Sequence, residues 1–273
     1  MQLPKLLWLK NHNPQLWSSA RCFFDLPDWL TYMATGAESR SFCSVVCKWN
    51  YLAADKSNIA GWNSGLFDLI GLEELKADSW RKIGQTILAP GTSVGAGLSR
   101  KAAEALGLKE GTAVGTSLID AHAGALGMLK GSSGVAGSLG LVSGTSTCHM
   151  LLSETGKLVS GVWGPYWSAI IDGLWLMEGG QSATGSLLDH IITTHPTYHQ
   201  VKDSSKGLNM YSGLEEQIVK LTTEKELENS CFITEGFHMT ADFHGNRSPL
   251  ADPTMTGDVL FGPVYKIPLP LQI

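Results

Sequence analysis

Four places in this 273-residue sequence combine residue types that could do chemistry. Asp120 follows the apolar run Thr112–Ile119 and precedes Ala-His-Ala-Gly-Ala. A carboxylate at the C-terminal edge of a strand, with tiny residues after it, faces a crevice with room for a substrate, where it can accept a proton. The same residue also reads as an N-cap for the helix that follows. Ser143-Gly144-Thr145-Ser146-Thr147 offers backbone N–H groups and hydroxyls to one point, which suits a phosphate. It also reads as a hairpin closed by Ser and Thr turn bonds. Glu178, ahead of Gly179-Gly180-Gln181-Ser182-Ala183, is a fixed acceptor for sugar hydroxyls or else part of a cap and turn. Lys48, between Cys47 and Trp49, is a sugar-binding donor resting on an aromatic or else a lysine snorkelling from a surface helix.

Other patterns fail on their context. Gly91-Thr92-Ser93-Val94-Gly95 matches the GxSxG nucleophile elbow in letters, but Pro90 precedes it and Gly95-Ala96-Gly97 prevents a helix start at the serine. His195 and His199 are four apart, yet Pro196 interrupts the helix that would make them a zinc pair. There is no GxxxxGK[ST] and no GxGxxG, so the commonest nucleotide loops are missing. The five cysteines, Cys22, Cys43, Cys47, Cys148 and Cys231, include no CxxC and read as reduced, mostly buried thiols. Cys43 and Cys47 can share a helix face, but four residues apart on a helix is poor disulfide geometry. No metal-ligating set is assigned.

The elements that must position these residues come next. Pro4–Met33 reads as helical pieces, with Asn13-Pro14 starting a new helix and Thr35-Gly36 stopping another. Ser99–Leu106 is a helix capped by Ser99 and stopped by Gly107. Ile87–Gly97 is a loop. Thr112–Ile119 is predicted as a buried strand and His122–Leu129 as a helix of small residues. Val135–Val142 and Thr147–Leu152 are predicted strands joined at Ser143–Ser146, with Thr155-Gly156 as a hairpin turn. Leu158–Trp163, Trp167–Ile171 and Leu174–Met177 extend the sheet, with Asp172-Gly173 as a type I′ turn. A helix is predicted from Ser182 to about Thr193, and solvated helical pieces at Leu214–Val219 and Glu224–Asn229. Strands joined by hairpins and followed by helices point to an α/β or α+β chain. The composition shifts near Gly131–Gly134, the candidate domain boundary.

Bulk properties narrow the function classes. The chain is 43% apolar, only 16% charged, and holds 31 glycines, as an α/β enzyme with many tight turns would. Twenty Lys and Arg stand against 25 Asp and Glu, for a net charge of −5, so a nucleic-acid binder is not expected. No apolar run reaches the length of a membrane span. Met1–Lys10 lacks a signal-peptide pattern, which makes the cytoplasm the default location.

Taken together, these segments resemble the FGGY family of carbohydrate kinases, in particular its ribulokinase-like branch. The residues that carry the resemblance are Lys5-Leu6-Leu7-Trp8-Leu9-Lys10-Asn11, Asp25-Leu26 through Thr35-Gly36, Cys47-Lys48-Trp49-Asn50-Tyr51, Pro90-Gly91-Thr92 through Gly95, Gly111–Gly127, Ser143–Thr147, Glu178–Ala183 and Gly245-Asn246-Arg247-Ser248-Pro249. Their order, over roughly residues 1 to 262, is what makes the likeness specific. It implies an α/β fold of two ribonuclease-H-like domains, of the actin and hexokinase type, both incomplete in this chain. Residues 1–130 would be the remainder of the N-terminal sugar-binding domain, 131–262 the first part of the C-terminal ATP-binding domain, and 263–273 a divergent Pro-rich tail.

The resemblance also implies a reaction. Asp120 would be the general base, Lys48 and Glu178 would orient the sugar together with Asp120, and Gly144, Thr145 and Ser146 would hold phosphate. ATP and Mg²⁺ would be needed, with a small sugar, most of all D-ribulose, as acceptor. Homo-oligomerisation is left open. Against the family pattern, the GxDxGT-type phosphate loop and the Gly-Gly adenosine motif do not occur, and Pro263, Pro268 and Pro270 interrupt the region where the family has a long helix. The expectation is therefore a truncated kinase, beginning at an internal methionine, with little activity of its own, or a fragment that binds sugar or a partner. An actin-like scaffold would have no use for Lys48 and Glu178.

Overall fold

The computed structural model describes residues 1–53, 61–129, 135–204 and 209–261. The chain divides into two compact units, one formed by Met1–Val142 with Cys148–Gly179, the other by Ser143–Thr147 with the residues from Gly180 onward. The expected boundary at Gly131–Gly134 and the tail from Pro263 lie outside the described residues.

The first unit opens with helices α1 (Leu3–His12), α2 (Pro14–Ser19) and α3 (Leu26–Thr35). Each break is written locally. Asn13 caps α2 by accepting the Leu16 N–H at 3.1 Å, and α3 stops at Gly36, which takes the left-handed conformation. Strand β1 (Ser39–Ser41) leads directly into α4 (Phe42–Lys48). Then come β2 (Tyr51–Leu52), β3 (Gly61–Trp62), α5 (Ser64–Leu69), a 3₁₀ turn at Glu73–Lys76, the short turn α6 (Ala77–Trp80) and β4 (Thr86–Leu88). β1 pairs in parallel with β4, and β2 pairs antiparallel with β3. Helices α7 (Arg100–Leu106) and α8 (Asp120–Leu129) follow. The main sheet has four strands, β5 (Leu139–Ser143), β6 (Thr147–Ser153), β7 (Trp163–Trp167) and β8 (Trp175–Gln181), in the order β5-β6-β8-β7.

Two apolar clusters hold this unit together. One gathers Leu3, Leu6, Trp17, Val45, Val46, Trp49, Phe67, Leu72, Leu75 and Ile83. The other gathers Cys47, Ala125, Leu129, Met150, Leu152, Ala169, Ile170 and Leu176. Helix α4 supplies residues to both, which is why a seven-residue helix can be rigid here. Burying a side chain of this size is worth about 1.5–3 kcal/mol.

The second unit is more helical. It contains α9 (Gly185–Thr194), α10 (Tyr198–Ser204), α11 (Met210–Glu224), a 3₁₀ turn at Ser230–Thr234, and the antiparallel pair β9 (Phe237–Thr240) and β10 (Asp258–Phe261). The Tyr211 hydroxyl donates to Asp189 at 2.5 Å and fastens α11 to α9. Consistent with Pro196, His195 is the extended residue that ends α9, and His199 sits on α10.

Several expected strands are absent, each for want of a partner or because of a turn. Thr112–Ile119 forms no strand. Its backbone bonds instead to the glycine loop before α7, through Val94 N–H to Val114 O, Leu98 N–H to Thr112 O and Thr116 N–H to Thr92 O, each at 2.8 Å. β5 begins only at Leu139, because Gly137 turns the chain with φ +84°. Leu158–Val162 is not a strand. Trp167–Ile171 is not one either: beyond Trp167 the chain enters a broad loop to β8, closed by Ser168, whose hydroxyl donates to Asp172 and accepts from the Gly173 N–H, each at 2.9 Å. That loop replaces the two-residue turn expected at Asp172-Gly173, and it plugs Ala169 and Ile170 into the second apolar cluster. Gly179 and Gly180 continue β8 rather than turning, and α9 starts three residues later than Ser182. After α11 the chain turns at Glu226, so Glu224–Asn229 forms no second helical piece.

Candidate active site

Lys48 closes α4, where the negative end of the helix suits a cation. Its neighbours fix it. Val45 and Val46 are buried on one side, Cys47 on the other, and the Trp49 indole N–H donates to Asp25 Oδ2 at 2.7 Å. Gln2 Nε2 donates to the other oxygen of Asp25. Burial raises the Asp25 carboxyl above its usual range, against the lowering effect of the Trp49 bond and the Lys48 charge.

Asp120 is the first residue of α8 and is exposed, with Oδ1 accepting the Ala121 N–H at 2.8 Å. It heads a helix rather than ending a strand. The helix runs inward through His122, Ala125 and Leu129, the buried residues of its face. A close approach to β5 sets its position. A Cβ on Gly124 would stand 3.3 Å from Val142 Cγ1, and one on Gly140 would stand 3.3 Å from Met128 Cε.

Glu178 lies within β8, paired with Trp163 of β7, and is 3% exposed. Its Oε2 is 3.9 Å from His122 Nε2, and the same nitrogen is 3.5 Å from Cys47 Sγ. His122 Nδ1 is buried with no hydrogen-bond partner among the described residues.

These groups share one electrostatic neighbourhood. Burial first, then the Lys48 cation, pushes His122 down to about 4, while Asp120 opposes the shift. The bond with Cys43, then burial, then the charges of Cys43 and Glu178 push the Cys47 thiol well up. Burial, then Cys47 and Glu178, push Tyr166 up to about 12. The first unit thus gathers Lys48, Asp120 and Glu178 around a buried, neutral His122. Sequence reasoning missed His122 and Asp25 as members. The signals were His122 two residues after Asp120, and an acid placed to meet the tryptophan beside the lysine.

In the second unit, Gly144 and Thr145 are exposed, and Ser146 is half-buried. The start of α9 holds the loop, with Thr184 N–H donating to Thr145 O at 2.9 Å and Gly185 N–H to Gly144 O at 3.0 Å. A Cβ at Gly185 would lie 2.6 Å from that Gly144 oxygen, so the approach requires glycine. Thr147 Oγ1 donates to Thr184 Oγ1 at 2.9 Å. The Gly144 N–H is engaged by Ser146 O at 2.8 Å. The Arg247 guanidinium is close by, since a Cβ on Gly180 would be 3.5 Å from its Nη1 and 3.2 Å from Thr147 O.

A separate hollow of about 310 Å³ in the first unit is lined by Asn50, Tyr51, Asn63, Tyr166, Trp167 and Trp175 among others. None of Lys48, Asp120 or Glu178 lines it.

The chain is similar to known proteins. Residues 139–266 match the C-terminal domain of the FGGY family of carbohydrate kinases. An FGGY carbohydrate kinase domain-containing protein of Danio rerio is 47% identical over 95% of this chain and 49% of its own length. This chain belongs to the FGGY family. A D-ribulokinase of Saccharomyces cerevisiae is 38% identical over 95% of this chain and 40% of its own length. The chain spans about half the length of the curated relatives it matches. Among solved structures, a xylulose kinase from Rhodospirillum rubrum is similar with a TM-score of 0.66 at 18% identity, over 96% of this chain and 46% of that one. A Plasmodium falciparum glycerol kinase with ADP has a TM-score of 0.60 at 13% identity, over 96% and 46%. The fold is therefore the ribonuclease-H-like, actin and hexokinase type α/β fold of FGGY sugar kinases, of which this chain carries about half. Among the described residues, no helix is long and apolar enough to cross a membrane.

Proposed function

We propose that this FGGY chain carries the sugar-side chemistry of an ATP-dependent kinase that converts D-ribulose to D-ribulose 5-phosphate in the cytoplasm. The observation that carries this reading is the placement of Asp120. It is an exposed carboxylate at the positive end of α8, on a helix whose next buried residue, His122, feels both Lys48 and Asp120. The 38% identity to a D-ribulokinase supports the choice of a pentulose.

In this mechanism Asp120 accepts the proton of the terminal sugar hydroxyl as that oxygen attacks the γ-phosphorus of ATP in line, and the bond from that phosphorus to the β,γ-bridging oxygen breaks to release ADP. A base so placed is worth about 10² to 10⁴ in rate. Lys48 donates to, and Glu178 accepts from, the other sugar hydroxyls. Gly144, Thr145 and Ser146 face the phosphates. The exposed Thr145 hydroxyl and the Arg247 guanidinium beside Thr147 fit an anion. Bound with the nucleotide, Mg²⁺ would supply neutralisation of charge on the transferring phosphoryl group. Residues 1–130 then belong to the sugar-binding domain, and 131–262 begin the ATP-binding domain, a division the match over residues 139–266 supports.

The span of about half the relatives' length favours a second reading, in which this chain binds the sugar without turnover. ADP release from the purified chain with Mg·ATP and D-ribulose, beside Asp120→Asn, separates the two. Turnover abolished by the substitution supports the kinase. A folded sample that binds D-ribulose without turnover supports the second reading, and one that neither binds nor turns over removes both.

A further inference from the structure

Beneath the sugar-side residues, α4 and α8 bring two thiols and an imidazole to one buried point. The ligand atoms of Cys43, Cys47 and His122 all lie within 4.8 Å of one another. The first two are one helical turn apart on α4, and the third enters from the first turn of α8. All three side chains are at most 2% exposed. Glu178 Oε2 is 3.9 Å from His122 Nε2, on the same nitrogen that faces Cys47.

The Cys47–His122 separation is that of two ligands on one tetrahedral ion. Bonds of about 2.3 Å to sulfur and about 2.05 Å to nitrogen at a tetrahedral angle put the two ligands about 3.6 Å apart. Cys47 Sγ and His122 Nε2 are 3.5 Å apart. Soft thiolates with a neutral imidazole select a thiophilic ion of the Zn²⁺ class over the hard Mg²⁺. We infer that Cys43, Cys47 and His122 form an interior site for one Zn²⁺-class ion, separate from any metal carried on nucleotide phosphates.

The charges balance. Each thiol releases its proton to solvent as its sulfur bonds the ion, and no electron is transferred. Two thiolates neutralise the dication, and the imidazole adds no charge. A neutral imidazole is the form that binds a metal ion.

The test uses the full chain with Cys22, Cys148 and Cys231 changed to Ser, which removes the other three thiols. Cd²⁺ titration is expected to give a thiolate-to-metal charge-transfer band saturating at one ion per chain, with Zn²⁺ displacing it and Mg²⁺ leaving it unchanged. Cys43→Ser and Cys47→Ser should each weaken Cd²⁺ binding more than about a hundredfold, beyond the usual cost of an outer-shell partner. If a serine variant does not fold, His122→Gln in the same background should lose the band's saturation at one ion. A missing band in the folded three-serine chain, or binding unchanged by Cys47→Ser, overturns the site. Metal stoichiometry is read without turnover, so the outcome is independent of kinase activity.

Discussion

His122 Nε2 stands 3.5 Å from Cys47 Sγ, which joins the first turn of α8 to the last turn of α4 inside the first unit. The contact sets the spacing between the helix that carries Asp120 and the helix that carries Lys48. Replacing His122 by Ala leaves a void against Cys47 and Glu178. A loss of about 2–4 kcal/mol is expected in urea unfolding, with a smaller loss for His122→Gln. A change under about 0.5 kcal/mol for the alanine variant would show that the two helices are spaced by other contacts.

Asp120 is exposed, so Asp120→Asn should fold as well as the parent. On the kinase reading, kcat falls by about 10² to 10⁴ with little change in the KM for D-ribulose. A rise in KM alone would make Asp120 a sugar-binding group instead of the base.

Asp28 is buried at 1% exposure, with Oδ1 accepting from Ser41 N–H at 2.9 Å and Ser117 Oγ at 2.8 Å. Its Oδ2 has no hydrogen-bond partner among the described residues. Burial raises its pKa above the ordinary 3.8, beyond the lowering effect of Ser117, Ser41 and Arg40. The folded state therefore binds this proton more tightly than the unfolded state does. Its contribution to stability is greatest below 3.8 and declines as pH rises through the raised value. Unfolding free energies measured across acid pH should show this decline in the parent and a flatter profile in Asp28→Asn. Parallel profiles would rule it out.

Gly97 has φ +87°, and a Cβ there would meet Thr112 O at 2.5 Å. The loop before α7 and the Gly111–Thr116 segment are bonded across this point. Gly97→Ala should cost about 1–3 kcal/mol, through both the left-handed backbone and the clash. Thermal unfolding reads the difference, and an unchanged Tm would refute the close approach.

Arg247 is half-buried beside Gly180 and Thr147 in the second unit. If it faces nucleotide phosphate, Arg247→Ala should raise the KM for ATP about tenfold or more while leaving the KM for the sugar unchanged. Equal effects on both constants would mark a structural role.

Much of the local structure was legible because local residues decide it. Asn13-Pro14, Ser99 with Gly107, Gly36 after α3 and Pro196 between His195 and His199 all act within a turn of their own position. The strands expected at 112–119 and 167–171 do not form, for a common reason. An apolar, extended segment becomes a strand only when a neighbour completes its ladder. Here the first pairs with a glycine loop, and the second folds into the core as a plug around Ser168.

The sequence by itself determined the types and order of Lys48, Asp120, Ser143–Thr147 and Glu178, because these are covalent facts, and their order resembles a family pattern. Only the tertiary structure decided what lies behind them. Cys43 and Cys47 are far in sequence from His122 and Glu178, and no periodicity announces that α4, α8 and β8 meet. Their meeting follows from burial of Val45, Cys47, Ala125, Met150 and Leu176 in the two cores of the first unit. That burial is a property of packing, and it also holds His122 neutral beside the lysine.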